Sequence, residues 1–242
     1  MIFVIGDVHG EITKLKKIIK NIEKIDSSPK YIFIGDYINK GENSKETLDF
    51  LTGIKDAIFL MGNHEYYYLQ YITKGTYKDK ILKYGKTTFK DFNMNLDSIY
   101  DNLYKPYKDF FDNLILYYEL DNYLISHAGI DVNYLEKDLK SLEAEKFCIF
   151  NRYDFISLNK KVKNKIVIFG HTGFSRPYYD GFKIGIDTAA AYREESPITA
   201  FCIEKEFFID SNDQKYELSS LRKDVCPLIK RIEPYRVRNE NP

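Results

Sequence analysis

Six side chains in this sequence carry metal-ligand chemistry: Asp7, His9, Asp36, Asn63, His127 and His171. Each stands at or just beyond the end of a short apolar run, beside a glycine, asparagine or serine that ends the run. The chain has only four histidines, and the fourth, His64, follows Asn63 directly. An aspartate at the tip of a buried strand is costly unless a positive charge lies beside it. Two carboxylates, one carboxamide oxygen and three imidazoles form a mixed nitrogen and oxygen donor set, suited to Mn(II), Fe or Zn(II) and without the thiolates of a structural zinc site. Six donors are too many for one ion with open positions, but they suit two ions that share Asp36. Such a pair, about 3.5–4 Å apart, clamps an in-line displacement at phosphorus, and a bridging water would ionise near neutral pH and act as nucleophile.

The elements that must position these donors can be read from hydrophobic periodicity. Ile2-Phe3-Val4-Ile5 reads as a strand ending in Gly6-Asp7-Val8-His9-Gly10. Ile12, Leu15, Ile18, Ile19, Ile22 and Ile25 then recur at helical spacing until Ser27-Ser28-Pro29 breaks the pattern. A second strand, 31–34, leads into Gly35-Asp36-Tyr37-Ile38-Asn39-Lys40-Gly41. Asn43 and Ser44 are candidate caps for a helix carrying Thr47, Leu48, Phe50 and Leu51. A third strand, 57–61, stops at Gly62-Asn63-His64-Glu65. Strand, loop and helix repeated in this way predict a parallel sheet with crossover helices, with ligands at the carboxyl ends of its strands.

Residues 66–112 mix tyrosine with lysine and are expected to form a helical cap of two or three helices, either as an amphipathic surface or as a substrate-facing lid. Residues 114–119 and 123–126 predict a hairpin turning at Asp121-Asn122, and a charged helix is expected over 131–146. A strand over 166–169 ends at Gly170-His171-Thr172, and strands are expected at 182–187, 198–204 and 206–210, in a more antiparallel half. From Asp213 the chain is polar and reads as a C-terminal extension, 213–242, to a single domain spanning 1–242.

Composition narrows the function classes. Net charge is zero, so no global field favours nucleic acid. No apolar run approaches the ~20 residues of a membrane span, and the start lacks a basic leader, so a cytoplasmic location is expected. Cys148, Cys202 and Cys226 are unpatterned and read as free thiols. With seven arginines against 29 lysines, bidentate anion-binding groups are few.

Gly6-Asp7-Val8-His9-Gly10, Gly35-Asp36 with Lys40-Gly41, Gly62-Asn63-His64-Glu65, His127-Ala128-Gly129 and Gly170-His171-Thr172 together resemble the calcineurin-like metallophosphoesterases, most closely the bacterial and phage members of the phosphoprotein phosphatase branch. Gly170-His171-Thr172-Gly173 lacks the second histidine of phosphodiesterase-type relatives. The resemblance implies an α/β fold, a layered α/β/β/α sandwich with mixed sheets and a helical Tyr-rich insertion. It implies that Asp7, His9 and Asp36 hold one metal, Mn2+ or else Fe or Zn2+, and that Asp36, Asn63, His127 and His171 hold the other. His64 would protonate the leaving group, and Lys40 and Arg152 would grip the phosphoryl oxygens. The implied activity is a serine/threonine protein phosphatase, with a diadenosine polyphosphate or other nucleotide phosphohydrolase as the alternative and a non-catalytic metal-binding regulator third.

Two residues depart from the family's loop, which has an acid at position 39 and arginine at position 40. Asn39 is expected to accept a hydrogen bond from His64 without the charge that raises a histidine pKa. Lys40 keeps its charge but loses the planar fork. The expectation is a slower enzyme, or one active at lower pH.

Overall fold

Most of the strands are buried on both faces, in two sheets packed face to face. A computed structural model describes residues 1–130 and 147–221 of the chain. The first sheet has the order β11-β10-β9-β1-β2-β3. Its parallel half comprises β1 (Ile2–Ile5), β2 (Lys30–Phe33) and β3 (Ala57–Phe59). β9 (Thr199–Cys202), β10 (Phe207–Asp210) and β11 (Lys215–Glu217) add antiparallel strands beside β1. The second sheet runs β4-β5-β6-β8-β7. Its parallel centre is β5 (Tyr123–Ser126), β6 (Ile166–Phe169) and β8 (Lys183–Gly185), edged by antiparallel β4 (Tyr117–Glu119) and β7 (Tyr178–Tyr179).

Successive strand residues face opposite sides, and the cores follow that rule. Val4, Ile32, Ile34, Ile125, Ile168 and Phe201 meet between the sheets. Phe3, Ile5 and Phe33 face outward onto α1 (Ile12–Glu23) and α2 (Ser44–Thr52). Leu124, Val167 and Phe169 face the other way, onto Ile149 and Phe155; residues 147–150 and Tyr153–Ile156 are helical there. The expected α/β/β/α layering with mixed sheets is therefore present. Each large apolar side chain buried in this way contributes roughly 1.5–3 kcal/mol.

Several local expectations change. α1 ends at Glu23, so Ile25 lies past the helix and is 37 % exposed. Asn43 precedes α2 without a side-chain capping bond, and the Ser44 hydroxyl turns instead to the backbone N–H of Asn39. The expected cap is a longer succession of short helices: α3 (Asn63–Lys74), α4 (Lys78–Tyr84), α5 (Lys86–Asp91), tight turns, and α6 (Lys108–Asp112). Of its tyrosines, Tyr66, Tyr67, Tyr68 and Tyr107 are buried, while Tyr100 is exposed. The polar stretch after Asp213 supplies β11 and buries Leu218, because β10 would otherwise present an unpaired edge. Strand β7 has no counterpart in the sequence reading. The helix expected over 131–146 lies outside the described residues, as does Cys226; Cys148 and Cys202 are free thiols.

Candidate metal centre

Loops leaving the carboxyl ends of both sheets converge on one point. Asp7 and His9 follow β1, Asp36 follows β2, and Asn63 and His64 open α3 after β3. His127 follows β5 and His171 follows β6. His9, Asp36, Asn39, Lys40 and His171 all take positive φ, between 50° and 70°, a region uncommon for non-glycine residues. The loops are locked together by backbone: the N–H groups of Val8 and His9 donate to the Asp36 carbonyl at 3.1 and 2.7 Å.

Ligand loops from the two sheets are also joined directly. The His171 N–H donates to the Asp7 carboxylate at 3.2 Å, and His127 Nδ1 donates to the Ile34 carbonyl at 2.9 Å.

Hydrogen-bond polarity shows what the donors lack. Because His127 Nδ1 carries a proton to Ile34, its Nε2 presents a lone pair. That lone pair faces Asn63 Oδ1 at 3.1 Å and Asp36 Oδ1 at 3.4 Å, two further acceptors. His9 Nδ1 likewise donates to the Ile38 carbonyl at 3.0 Å, leaving Nε2 to face Asp36 Oδ2 at 3.2 Å and Asp7 Oδ2 at 3.9 Å. Buried acceptors pointing at one another are unfavourable unless a cation lies between them. Cationic side chains take up two of the lone pairs: Lys40 Nζ donates to His9 Nε2, and Arg152 Nη2 donates to His171 Nε2 at 2.9 Å. The donor set thus fits divalent cations, and carbonyl-anchored imidazoles are the outer support that metal-binding histidines use.

Burial and neighbouring charges shift the same groups. Burial, then Asp187 and Asp36, holds the Asp7 carboxyl well above its usual range. Burial works to raise Asp36 as well, but the surrounding His127, His64 and His9 bring it well below that range. Burial lowers His64, His127 and His171 from the ordinary imidazole value, with Arg152 adding to the effect at His171. Lys40 is lowered by burial but carried upward overall by Asp36, Tyr192, Asp187 and Asp7.

All the residues expected at the site are brought together, with one reversal of polarity. The Tyr68 hydroxyl donates to Asn39 Oδ1 at 3.0 Å, so the amide turns its nitrogen to His64 Nδ1, 2.7 Å away. Asn39 therefore donates to His64 instead of accepting from it. The ring's proton lies on Nε2, 3.9 Å from Asp36 Oδ2. Asn39 is itself pinned through its N–H by Ser44 and Thr88 hydroxyls at 3.1 and 3.0 Å.

Beside these groups lies a cavity of about 90 Å³ whose floor includes Asp36, Asn63, His64 and His171. Lys40, Arg152, Tyr67, Tyr84 and Tyr192 complete its lining. Arg152 Nη1 is buried with no hydrogen-bond partner among the described residues, a donor left for an anion. The cavity reaches the surface beside Tyr192, which is 60 % exposed.

Sequence reasoning missed Tyr67, Tyr84 and Tyr192 on the cavity wall, Tyr68 and Thr88 behind Asn39, and the buried Asp187. It quoted Glu65 without giving it a role. A glutamate three residues into a helix, opposite a glycine cap, was the available signal for that residue; nothing in the tyrosine spacing singled out the others.

The calcineurin-like phosphoesterase family pattern matches residues 1–202, and the chain belongs to that family. A symmetrical bis(5'-nucleosyl)-tetraphosphatase of a Marinomonas species is 34 % identical over 131 residues, covering 53 % of this chain and 44 % of that protein. The serine/threonine-protein phosphatase PP1-1 of Saccharomyces cerevisiae is 32 % identical over 90 residues, covering 35 % and 29 %. The matched stretches thus span less than half of these relatives. Among solved structures, the cold-active protein-tyrosine phosphatase of a psychrophilic Shewanella superposes with a TM-score of 0.66 at 17 % identity, covering 90 % of this chain and 80 % of that one, a likeness of fold. None of its described helices is long and apolar enough to cross a membrane.

Proposed function

We propose that this chain, as one domain over 1–242, hydrolyses phosphate monoesters with two divalent ions, Mn2+ foremost. Asp7, His9 and Asp36 would hold one ion, and Asp36, Asn63, His127 and His171 the other. The observation that carries this reading is that Asn63 Oδ1 and Asp36 Oδ1 both lie within 3.4 Å of the His127 Nε2 lone pair. When bound, such ions neutralise phosphoryl oxygens and acidify water.

The chain's own groups then divide the work. Lys40 and the unpaired Nη1 of Arg152 receive phosphoryl oxygens, stabilising charge that grows in the transition state. His64 presents Nε2–H toward the cavity. As the bond from phosphorus to the leaving oxygen breaks, its electron pair stays on that oxygen, which would take the Nε2 proton of His64 when the ring carries protons on both nitrogens, with the Asn39 amide turned so that its oxygen accepts from Nδ1. Asn39 and Tyr68 hold the ring's other nitrogen, without the negative charge an acid would supply.

The first substrate reading is phosphoserine or phosphothreonine in proteins, supported by the likeness to a serine/threonine-protein phosphatase and by Lys40 and Arg152, two cations on the cavity wall that suit a phosphoryl group. The second is a diadenosine polyphosphate or related nucleotide, favoured by Tyr84 and exposed Tyr192 beside the cavity, which offer stacking faces, and by the longer stretch shared with the tetraphosphatase. Assaying a phosphopeptide beside a dinucleotide with Mn(II) separates them; no phosphopeptide turnover rejects the first. Metal uptake without hydrolysis of even p-nitrophenyl phosphate rejects both and leaves a metal-binding regulator.

A further inference from the structure

Glu65 is fully buried, does not line the cavity, and has no part in the chemistry above. Its carboxylate nonetheless collects four backbone N–H groups. Oε2 accepts from Asp36 at 2.9 Å and from Gly62 at 3.2 Å. Oε1 accepts from Tyr37 at 2.8 Å and from Ile38 at 3.3 Å. The donors belong to two separate loops, the one after β2 that carries Asp36 and the one after β3 that carries Asn63.

Those loops approach more closely than side chains permit. A Cβ on Gly62 would lie 2.2 Å from the Asp36 nitrogen, and one on Gly35 would lie 2.5 Å from the Gly62 nitrogen. The positive φ of Asp36, 56°, helps turn these N–H groups inward, away from water. Buried N–H groups must be paired, and the two side-chain oxygens of Glu65 accept from all four. The His64 N–H on Asp36 Oδ1, at 3.0 Å, makes a further bond between the same loops.

We propose that Glu65 is a positioning residue that fixes Asp36 against Asn63, and that without its carboxylate the centre no longer holds two ions side by side. The proposal rests on the two-metal reading. A glutamine of the same shape offers one acceptor oxygen, and its NH2 would face two N–H donors in either orientation. At least one pair of backbone bonds is lost, and the spacing of the metal-bearing loops loosens.

The test is Mn(II) titration of the wild-type chain and Glu65→Gln, by calorimetry and electron paramagnetic resonance, well below both melting temperatures. The wild type should bind two ions and show the spectrum of an exchange-coupled pair. Glu65→Gln should bind Mn(II) about 10–100-fold more weakly, the usual cost of losing an outer support, and show an uncoupled spectrum. A variant that melts earlier but keeps the coupled spectrum and an affinity within twofold would reduce Glu65 to a structural residue and overturn the proposal.

Should Glu65→Gln not fold, amide hydrogen exchange on the metal-free wild type decides. Slow exchange at Asp36, Tyr37, Ile38 and Gly62 supports the bracing, and exchange as fast as an open loop refutes it. A wild type that never takes two ions sinks the two-metal reading instead, and the exchange rates still test whether Glu65 braces the loops.

Discussion

The two halves of the centre are assembled by different means. Asp7, His9 and Asp36 leave adjacent parallel strands, and their loops hydrogen-bond backbone to backbone, so this half is local to one sheet. Asn63 leaves the same sheet, but His127 and His171 come from the opposite one. They meet because the inter-sheet core, Val4 and Ile32 with Ile125 and Ile168, holds the layers in register, and because His171 and His127 bond across to Asp7 and Ile34. The first half therefore depends on loop geometry, and the second on docking between layers. On the proposed two-metal reading, Asp36 serves both.

Substitution can break that comparison at its shared point. Asp36→Asn should have the largest effect, a loss in kcat/KM on the order of 10³-fold or more, with both ions weakened; metal analysis beside kinetics checks it. Normal binding of one ion would show that Asp36 serves a single half.

His64→Asn should lower kcat about 10²–10³-fold while both ions remain bound. The contrast between lost turnover and retained metal is the expected signature, and retained rates would remove the proton-donor assignment.

A gain should follow from Asn39→Asp combined with Lys40→Arg, about tenfold in turnover. The acid can accept from His64, and the guanidinium forks onto the phosphoryl group. An unchanged rate and pH profile would show that Tyr68 and Thr88 already compensate.

The smallest effect is on the stability of the metal-free chain. His64, His127 and His171 have folded pKa values below the unfolded value of about 6.5. Below that pH the unfolded chain binds more protons, so their contribution is complete above about pH 6.5 and falls as pH drops toward the folded values. Because the raised Asp7 carboxyl works the other way on the melting midpoint, NMR titration of metal-free protein from pH 8 to pH 5 reads the rings directly: their midpoints should fall below about 6.5, and rings titrating at or above that value would contradict burial in the neutral form.

Legibility followed the same division. Short apolar runs ended by glycine and a polar donor exposed β1, β2, β3, β5 and β6 with their loops, because strand periodicity and turn chemistry act within a few residues. The edge strands β7 and β11 escaped notice because two or three residues carry too little pattern. Asn39 was read with the wrong polarity, since its amide is oriented by Tyr68, 29 residues away. Tyr192 looked like any loop tyrosine until the fold set it beside Lys40. Glu65 was in plain view, but which loops its oxygens would join depended on the approach of Gly35 and Gly62.

The sequence by itself determined the identity and order of the donors, the parallel strands that deliver them, and the family to which they belong, because these are written in local spacing. Only the tertiary structure decided which lone pairs face one another, which way the Asn39 amide points, and what lines the cavity. Those outcomes depend on hydrogen bonds and packing between segments far apart in the chain, where burial makes each unpaired polar group costly enough to select one arrangement.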